Sequence, residues 1–130
     1  MSKTTDMILI LAMVFFVSSY LAPARNIQTQ LYFGLSLPNG MIISDSAWNV
    51  FVRDDISKVF SAGFTVIHSD GNWVDMEQKK LHAEPSCIVT SVSTMTSSLS
   101  ARIDSLREKY KTRFQQESVL RIDEQSCVSF

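Results

Sequence analysis

Between residues 28 and 35 the chain alternates, with Leu31, Phe33 and Leu35 apolar and Gln30, Tyr32 and Gly34 between them. A period of two is that of a strand with one covered face. Leu31, Phe33 and Leu35 are therefore expected to point into a core, and Gln30 and Tyr32 away from it. Pro38-Asn39-Gly40 ends this strand with turn residues. The period then changes. Trp48, Phe51, Val52, Ile56, Val59 and Phe60 recur at three and four, one apolar helical stripe. Ser44, Asp45 and Ser46 offer N-cap side chains, and Gly63 closes the connection. Trp48 belongs to the core in this reading.

Residues 64–68 (FTVIH) are rich in β-branched side chains and form a second strand. Asp70-Gly71 is a strong hairpin signal and predicts a turn there. Trp73-Val74 and Leu81-His82-Ala83 then make a short hairpin arm, with Glu77, Lys79 and Lys80 in a solvated turn. Pro85 cannot donate to a ladder, so it should break the pairing at an edge or bulge. Residues 87–92 (CIVTSV) form the third strand. Thr96, Ser97 and Ser98 supply a second cap, and Leu99, Ile103, Leu106, Tyr110 and Phe114 make a second helical stripe. Residues 117–123 alternate again as the fourth strand. Leu120 and Ile122 are expected inward, and Glu117, Val119, Arg121 and Asp123 outward.

The order strand, helix, strand, strand, helix, strand is two βαβ units. Right-handed crossovers turn these into a four-stranded antiparallel sheet with both helices on one face. That is the ferredoxin-like α+β sandwich, with strand order 4-1-3-2. The third and fourth strands then flank the first, about 9.6 Å apart from two strand spacings. A disulfide needs α-carbons within about 7 Å, so Cys87 and Cys127 are not expected to bond.

Ahead of this domain, residues 7–17 (MILILAMVFFV) contain no polar side chain, Lys3 precedes them and Ala22-Pro23-Ala24 follows. A basic start, a short apolar core and small residues at alternate positions form the pattern of a secretory signal peptide. The run falls short of the roughly 20 apolar residues of a membrane span. The expected organisation is a signal peptide over residues 1–24 and one domain over 25–130, with a periplasmic or secreted location. The alternative is an uncleaved anchor, which would make the protein a membrane-held envelope factor. The whole chain carries 12 basic and 13 acidic residues, a net charge of −1. That balance offers no basic surplus for nucleic acid.

Several motifs stand out: Leu31-Tyr32-Phe33-Gly34-Leu35-Ser36 with Pro38, Gly63-Phe64-Thr65-Val66, Gly71 with Trp73, and Glu84-Pro85-Ser86. Tyr110-Lys111, Arg113-Phe114, the run Gln116-Glu117-Ser118-Val119-Leu120-Arg121, and Cys127-Val128-Ser129-Phe130 complete them. Together they resemble a family of short, often exported bacterial proteins, domain of unknown function 3574. The resemblance implies no reaction. It implies a basic and an acidic residue where this chain has Gln28 and Gln30.

No phosphate loop, dinucleotide fingerprint or nucleophile elbow occurs, Ser118 has no visible base, and no cofactor is expected. His68 and His82 have no cysteine or carboxylate motif at metal spacing, so no metal is expected. The candidate site is the open sheet face. Tyr32, Glu117 and Arg121 would lie together there, with Arg121 holding a small anion and Tyr32 or Glu117 moving a proton. The same residues also read as a cross-strand charge pair or the rim of a homodimer through that face. Trp73 either anchors a partner or caps the sheet.

Overall fold

The computed structural model describes residues 25–130; the signal-peptide reading of residues 1–24 lies outside the described residues. The order is β1 (Asn26–Gly34), α1 (Asp45–Phe51), a π-helical turn (Val52–Ile56), α2 (Ser57–Val59), β2 (Thr65–Asp75), β3 (Lys80–Thr94), α3 (Ser97–Phe114) and β4 (Leu120–Ser126). The four strands form one antiparallel sheet in the order β2-β3-β1-β4. This is the ferredoxin-like α+β arrangement that the alternating periods predict. Cys87 is buried and Cys127 exposed, both as free thiols.

The helix starts follow from their caps. Ser44 Oγ accepts from the Ala47 N–H at 3.2 Å, and Thr96 Oγ1 from the Leu99 N–H at 3.0 Å. Leu31 and Phe33 of β1 are fully buried in one cluster with Trp48, Phe51 and Ile56 and with Ile103, Leu106 and Tyr110 of α3. Phe33 sits at the centre of an aromatic cluster, 4.7 Å from Tyr110 and 5.4 Å from Trp48 between centroids. Edge-to-face pairs of this kind add to the free energy of area burial.

The π-helical turn brings Asp55 round beside Ile56 on the buried side. Asp55 meets Arg113 at 2.8 Å and also Lys109, both from α3. Desolvation pushes the Asp55 carboxyl up, but the hydrogen bonds and charges of Lys109 and Arg113 outweigh it and hold the pKa below its ordinary value.

Three expectations are corrected. Asp70-Gly71 is not a turn: both residues lie inside β2, Gly71 has no positive φ, and the chain reverses at residues 76–79 instead. There Asp75 Oδ1 accepts from the N–H groups of Glu77 and Gln78 at 2.8 and 3.0 Å, and Lys79 adopts φ 51°. The arm is therefore long, with Trp73 opposite His82 and Val74 opposite Leu81. Pro85 does not break the ladder, because β3 runs through it opposite Asp70. In a strand the N and C=O of one residue point the same way, and the Pro85 carbonyl accepts from the Leu35 N–H at 2.9 Å. The missing donor therefore faces the end of β1, where the named pairing has already stopped.

The third correction is the phase of β4. Leu31 pairs with Arg121 and Tyr32 with Leu120, and directly paired residues share a face. Leu31 points into the core, so Arg121 does too, while Leu120 is 55% exposed on the open face and Val119 is buried. Shifting one residue moves every side chain to the other side. Arg121 lies along α3, donating to the Ser100 carbonyl at 3.2 Å, Asp104 at 3.0 Å and Asp123 at 2.9 Å. Asp123 in turn accepts from the buried Thr29 hydroxyl at 2.7 Å.

Asp55 and Arg121 are thus the two ionic ties between helices and neighbouring elements. Asp55→Asn and Arg121→Ala are each expected to lower stability by about 1.5–3 kcal/mol, the range for hydrogen bonds to charged groups, in urea melts at pH 7. The Asp55 carboxyl has a lower pKa folded than unfolded. Its contribution is therefore complete above the unfolded value and lost as pH falls through the folded one. The gap between wild type and Asp55→Asn should narrow as the pH falls below the ordinary carboxylate range; a gap that does not narrow in acid would count against the ion pairs.

Candidate functional site

The register also decides what the open face offers. Tyr32, Ile88 and Ile67 form one row across β1, β3 and β2, with Leu120 of β4 beside Tyr32. The next row is Gly34, Ser86 and Ser69. Beyond the end of β1, Glu84 stands opposite Gly71, and His82 opposite Trp73. Gly34 and Gly71 therefore flank Ser86 and Glu84 without side chains, and the face is hollow there. A glycine inside a strand marks close approach by another group, and here that group is Glu84. A Cβ on Gly34 would stand 2.6 Å from Glu84 Oε1, and one on Gly71 would stand 3.4 Å from the Glu84 carbonyl oxygen.

The hollow is a cavity of about 620 Å³ walled by Tyr32 and Leu120 on one side and Trp73 on another. The third wall is the segment after α3. Gln115 ends that helix in the left-handed region at φ 51°, and the Gln116 N–H bonds back to the Lys111 carbonyl. This turns residues 115–118 over the end of β1. Gln116 Nε2 then donates to the Ser36 carbonyl at 2.8 Å and the Phe114 carbonyl at 3.0 Å. From below, the Tyr110 hydroxyl donates to the Gly34 carbonyl at 2.6 Å. Core and pocket thus share one peptide.

Inside the pocket, Glu84 Oε1 accepts from the Ser36 N–H at 3.3 Å, and the Ser86 and Ser69 hydroxyls lie 2.8 Å apart. The Tyr32 hydroxyl donates to Gln30 at 3.0 Å. Trp73 stacks on His82 with centroids 4.4 Å apart and 12° between planes, and is 52% exposed. Among the described residues the lining holds two carboxylates, Glu84 and Glu117, and no lysine or arginine. Among the described residues neither carboxylate enters an ion pair.

Of the residues proposed from sequence, Tyr32, Glu117 and Trp73 meet in this pocket. Arg121 does not: it lies on the helix side of the sheet, its donors taken by Ser100, Asp104 and Asp123. The expected partnership of Tyr32 with Arg121 is corrected accordingly, and the cation that was to hold an anion is absent from this pocket. His68 and His82 also stand apart. His68 pairs with the buried Cys87 on the helix-side phase, and its Nδ1 lies 3.4 Å from the thiol, while His82 faces the open side.

Reading the sequence missed Glu84, Gly34, Gly71 and Gln116. The available signal was the two glycines inside strand-like stretches, masked at Gly71 by its resemblance to a turn. Most of the pocket lining falls within the motifs that carry the family resemblance: Tyr32, Gly34 and Ser36, then Gly71 and Trp73, Glu84 and Ser86, and residues 116–118. A second cleft, between the helices, contains Lys58, Lys109 and Arg113, but Asp55 already holds two of these.

Two solved structures have a similar fold. One is a phage SAM lyase in complex with S-methyl-5'-thioadenosine, at TM-score 0.60 and 12% identity, covering 81% of this chain and 84% of that one. The other is a phage SAM lyase in the apo state, at TM-score 0.57 and 14% identity, covering 81% and 83%. At these identities the likeness shows the fold alone. No curated protein matches the chain. The model of the family described as protein of unknown function, DUF3574, matches residues 28–130, and the chain belongs to that family.

Proposed function

We propose that the protein is a small-molecule-binding domain whose ligand occupies the glycine-floored pocket of the open sheet face. The observation that carries this reading is the hollow itself. Two missing side chains at Gly34 and Gly71 open a cavity beside an exposed indole, and its polar groups converge from three parts of the chain. Concave sites with an aromatic wall and a few placed polar groups are where small ligands bind. The solved phage SAM lyase holds a nucleoside thioether on a similar fold, which makes that compound a reasonable probe. A carboxylate and a phenol in one pocket can also move a proton, so a cofactor-free enzyme is the catalytic form of the same reading.

The chain has two tryptophans, so a ¹H–¹⁵N spectrum of the full chain shows two indole signals. Titration with S-methyl-5'-thioadenosine should shift the Trp73 signal and leave that of the buried Trp48 in place. Trp73→Ala should weaken binding roughly 5- to 160-fold, the equivalent of the ~1–3 kcal/mol that a stacking aromatic contributes. Unchanged indole signals at millimolar ligand would rule this ligand out.

A second reading concerns the rest of that face, where we infer that two copies pair. The row Leu120, Tyr32, Ile88 and Ile67 crosses the whole sheet, and the flanking outward positions include Gln28, Gln30, Thr90 and Val92. Depletion of charge is what distinguishes the centre of an interface, and a face that meets its own copy cannot carry a strong charge of one sign. Light scattering on a sizing column should give a dimer mass that drops to the monomer for Ile67→Lys. A monomeric wild type would sink this reading and leave the pocket reading standing.

We also infer export, from the signal pattern in residues 1–24. Among the described residues no helix is long and apolar enough to cross a membrane. The mature protein should begin near Arg25 by mass spectrometry of the periplasmic or medium fraction. Intact chains found only with membranes would favour the anchor instead.

A further inference from the structure

We propose that the pocket selects a small organic cation and that Glu84 is the residue that selects it. This rests on the reading that the pocket binds a small molecule, and adds the charge of its ligand.

Three independent observations converge. The first is composition: among the described residues the lining presents the carboxylates of Glu84 and Glu117 with no lysine or arginine. The second is that Glu84 is unfinished. A carboxylate offers about four acceptor sites, and the protein fills one of them, with the Ser36 N–H at 3.3 Å. No cation among the described residues pairs with it. The third is that the fold clears space for this group. Gly34 is the residue over which the Glu84 carboxylate lies; a Cβ there would stand 2.6 Å from Oε1 and the carboxylate would have to move aside. A solvated surface glutamate needs no such cradle.

The wall chemistry fits the same ligand. One face of the Trp73 indole is covered by His82, and the half-exposed ring leaves the other side to a guest. An aromatic face attracts a cation through its quadrupole, and a carboxylate adds charge attraction from a second direction. The ligand is organic rather than a metal ion. Among the described residues no three histidine, cysteine or carboxylate side chains group at metal-binding geometry, and indole and phenol walls suit carbon better than a hydrated ion.

The test compares choline with its uncharged isostere 3,3-dimethylbutan-1-ol, read by the Trp73 indole signal of the full chain. Choline should bind at least tenfold more tightly than the alcohol. Glu84→Gln, which keeps the shape and removes the charge, should erase that preference while leaving the remaining amide spectrum in place. Should Glu84→Gln unfold the protein, Gly34→Ala serves instead. Its Cβ displaces the carboxylate, and the same loss of preference is expected. Equal binding of choline and the alcohol would overturn the charge inference and leave the binding reading intact. Binding of neither would overturn the inference as well, and the thioadenosine titration then judges the pocket by itself.

Discussion

The hydrogen bond from Tyr110 to the Gly34 carbonyl is the contact on which the rest of the structure turns. Tyr110 is fully buried in α3, and its ring packs against Phe33, Phe51 and Phe114. Its hydroxyl leaves the core at one point only, the last peptide of β1. Burial pushes the phenol pKa up, so the group remains a neutral donor. This bond ties α3, about one turn before its end, to the end of β1, and Gln115 then closes the helix at φ 51°. Residues 115–118 turn from there over the end of β1 to wall the pocket, held by Gln116 on the Ser36 carbonyl.

The two faces of the sheet divide the labour. The helix side carries the ionic ties, Asp55 to Lys109 and Arg113, and Arg121 to Asp104 and Asp123. Each of these charges is answered by a partner. Among the described residues Glu84 and Glu117 on the open side have none, and the row Leu120, Tyr32, Ile88 and Ile67 at the centre of that face is uncharged. Charges that a fold satisfies internally are tools of stability, and those left unpaired in a concavity are where recognition begins.

Much of the fold was legible without coordinates. The strand period of residues 28–35, the two helical stripes and the Ser44 and Thr96 caps all emerge as read, and element order with handed crossovers leads to the observed strand order. The site was legible in part. Tyr32, Trp73 and Glu117 come together, but Glu84 was legible only as part of a motif, because its importance lies in the absence of side chains at Gly34 and Gly71 on neighbouring strands. That adjacency exists only after pairing.

The amino-acid sequence by itself determined periodicity, because whether a segment can bury one face as a helix or as a strand is a local property of side-chain spacing. Tertiary structure decided phase and position. In β4, residues 119–122 are apolar at Val119, Leu120 and Ile122, so either phase buries something. The choice fell to the register with β1, which lets Arg121 lay its stem on α3 and meet Asp104 and Asp123. In the hairpin, Asp70-Gly71 suits a tight turn, yet an extended Gly71 gains cross-strand pairing opposite Glu84 and moves the reversal to residues 76–79. A local preference of about 1 kcal/mol yields to a ladder and a packed core.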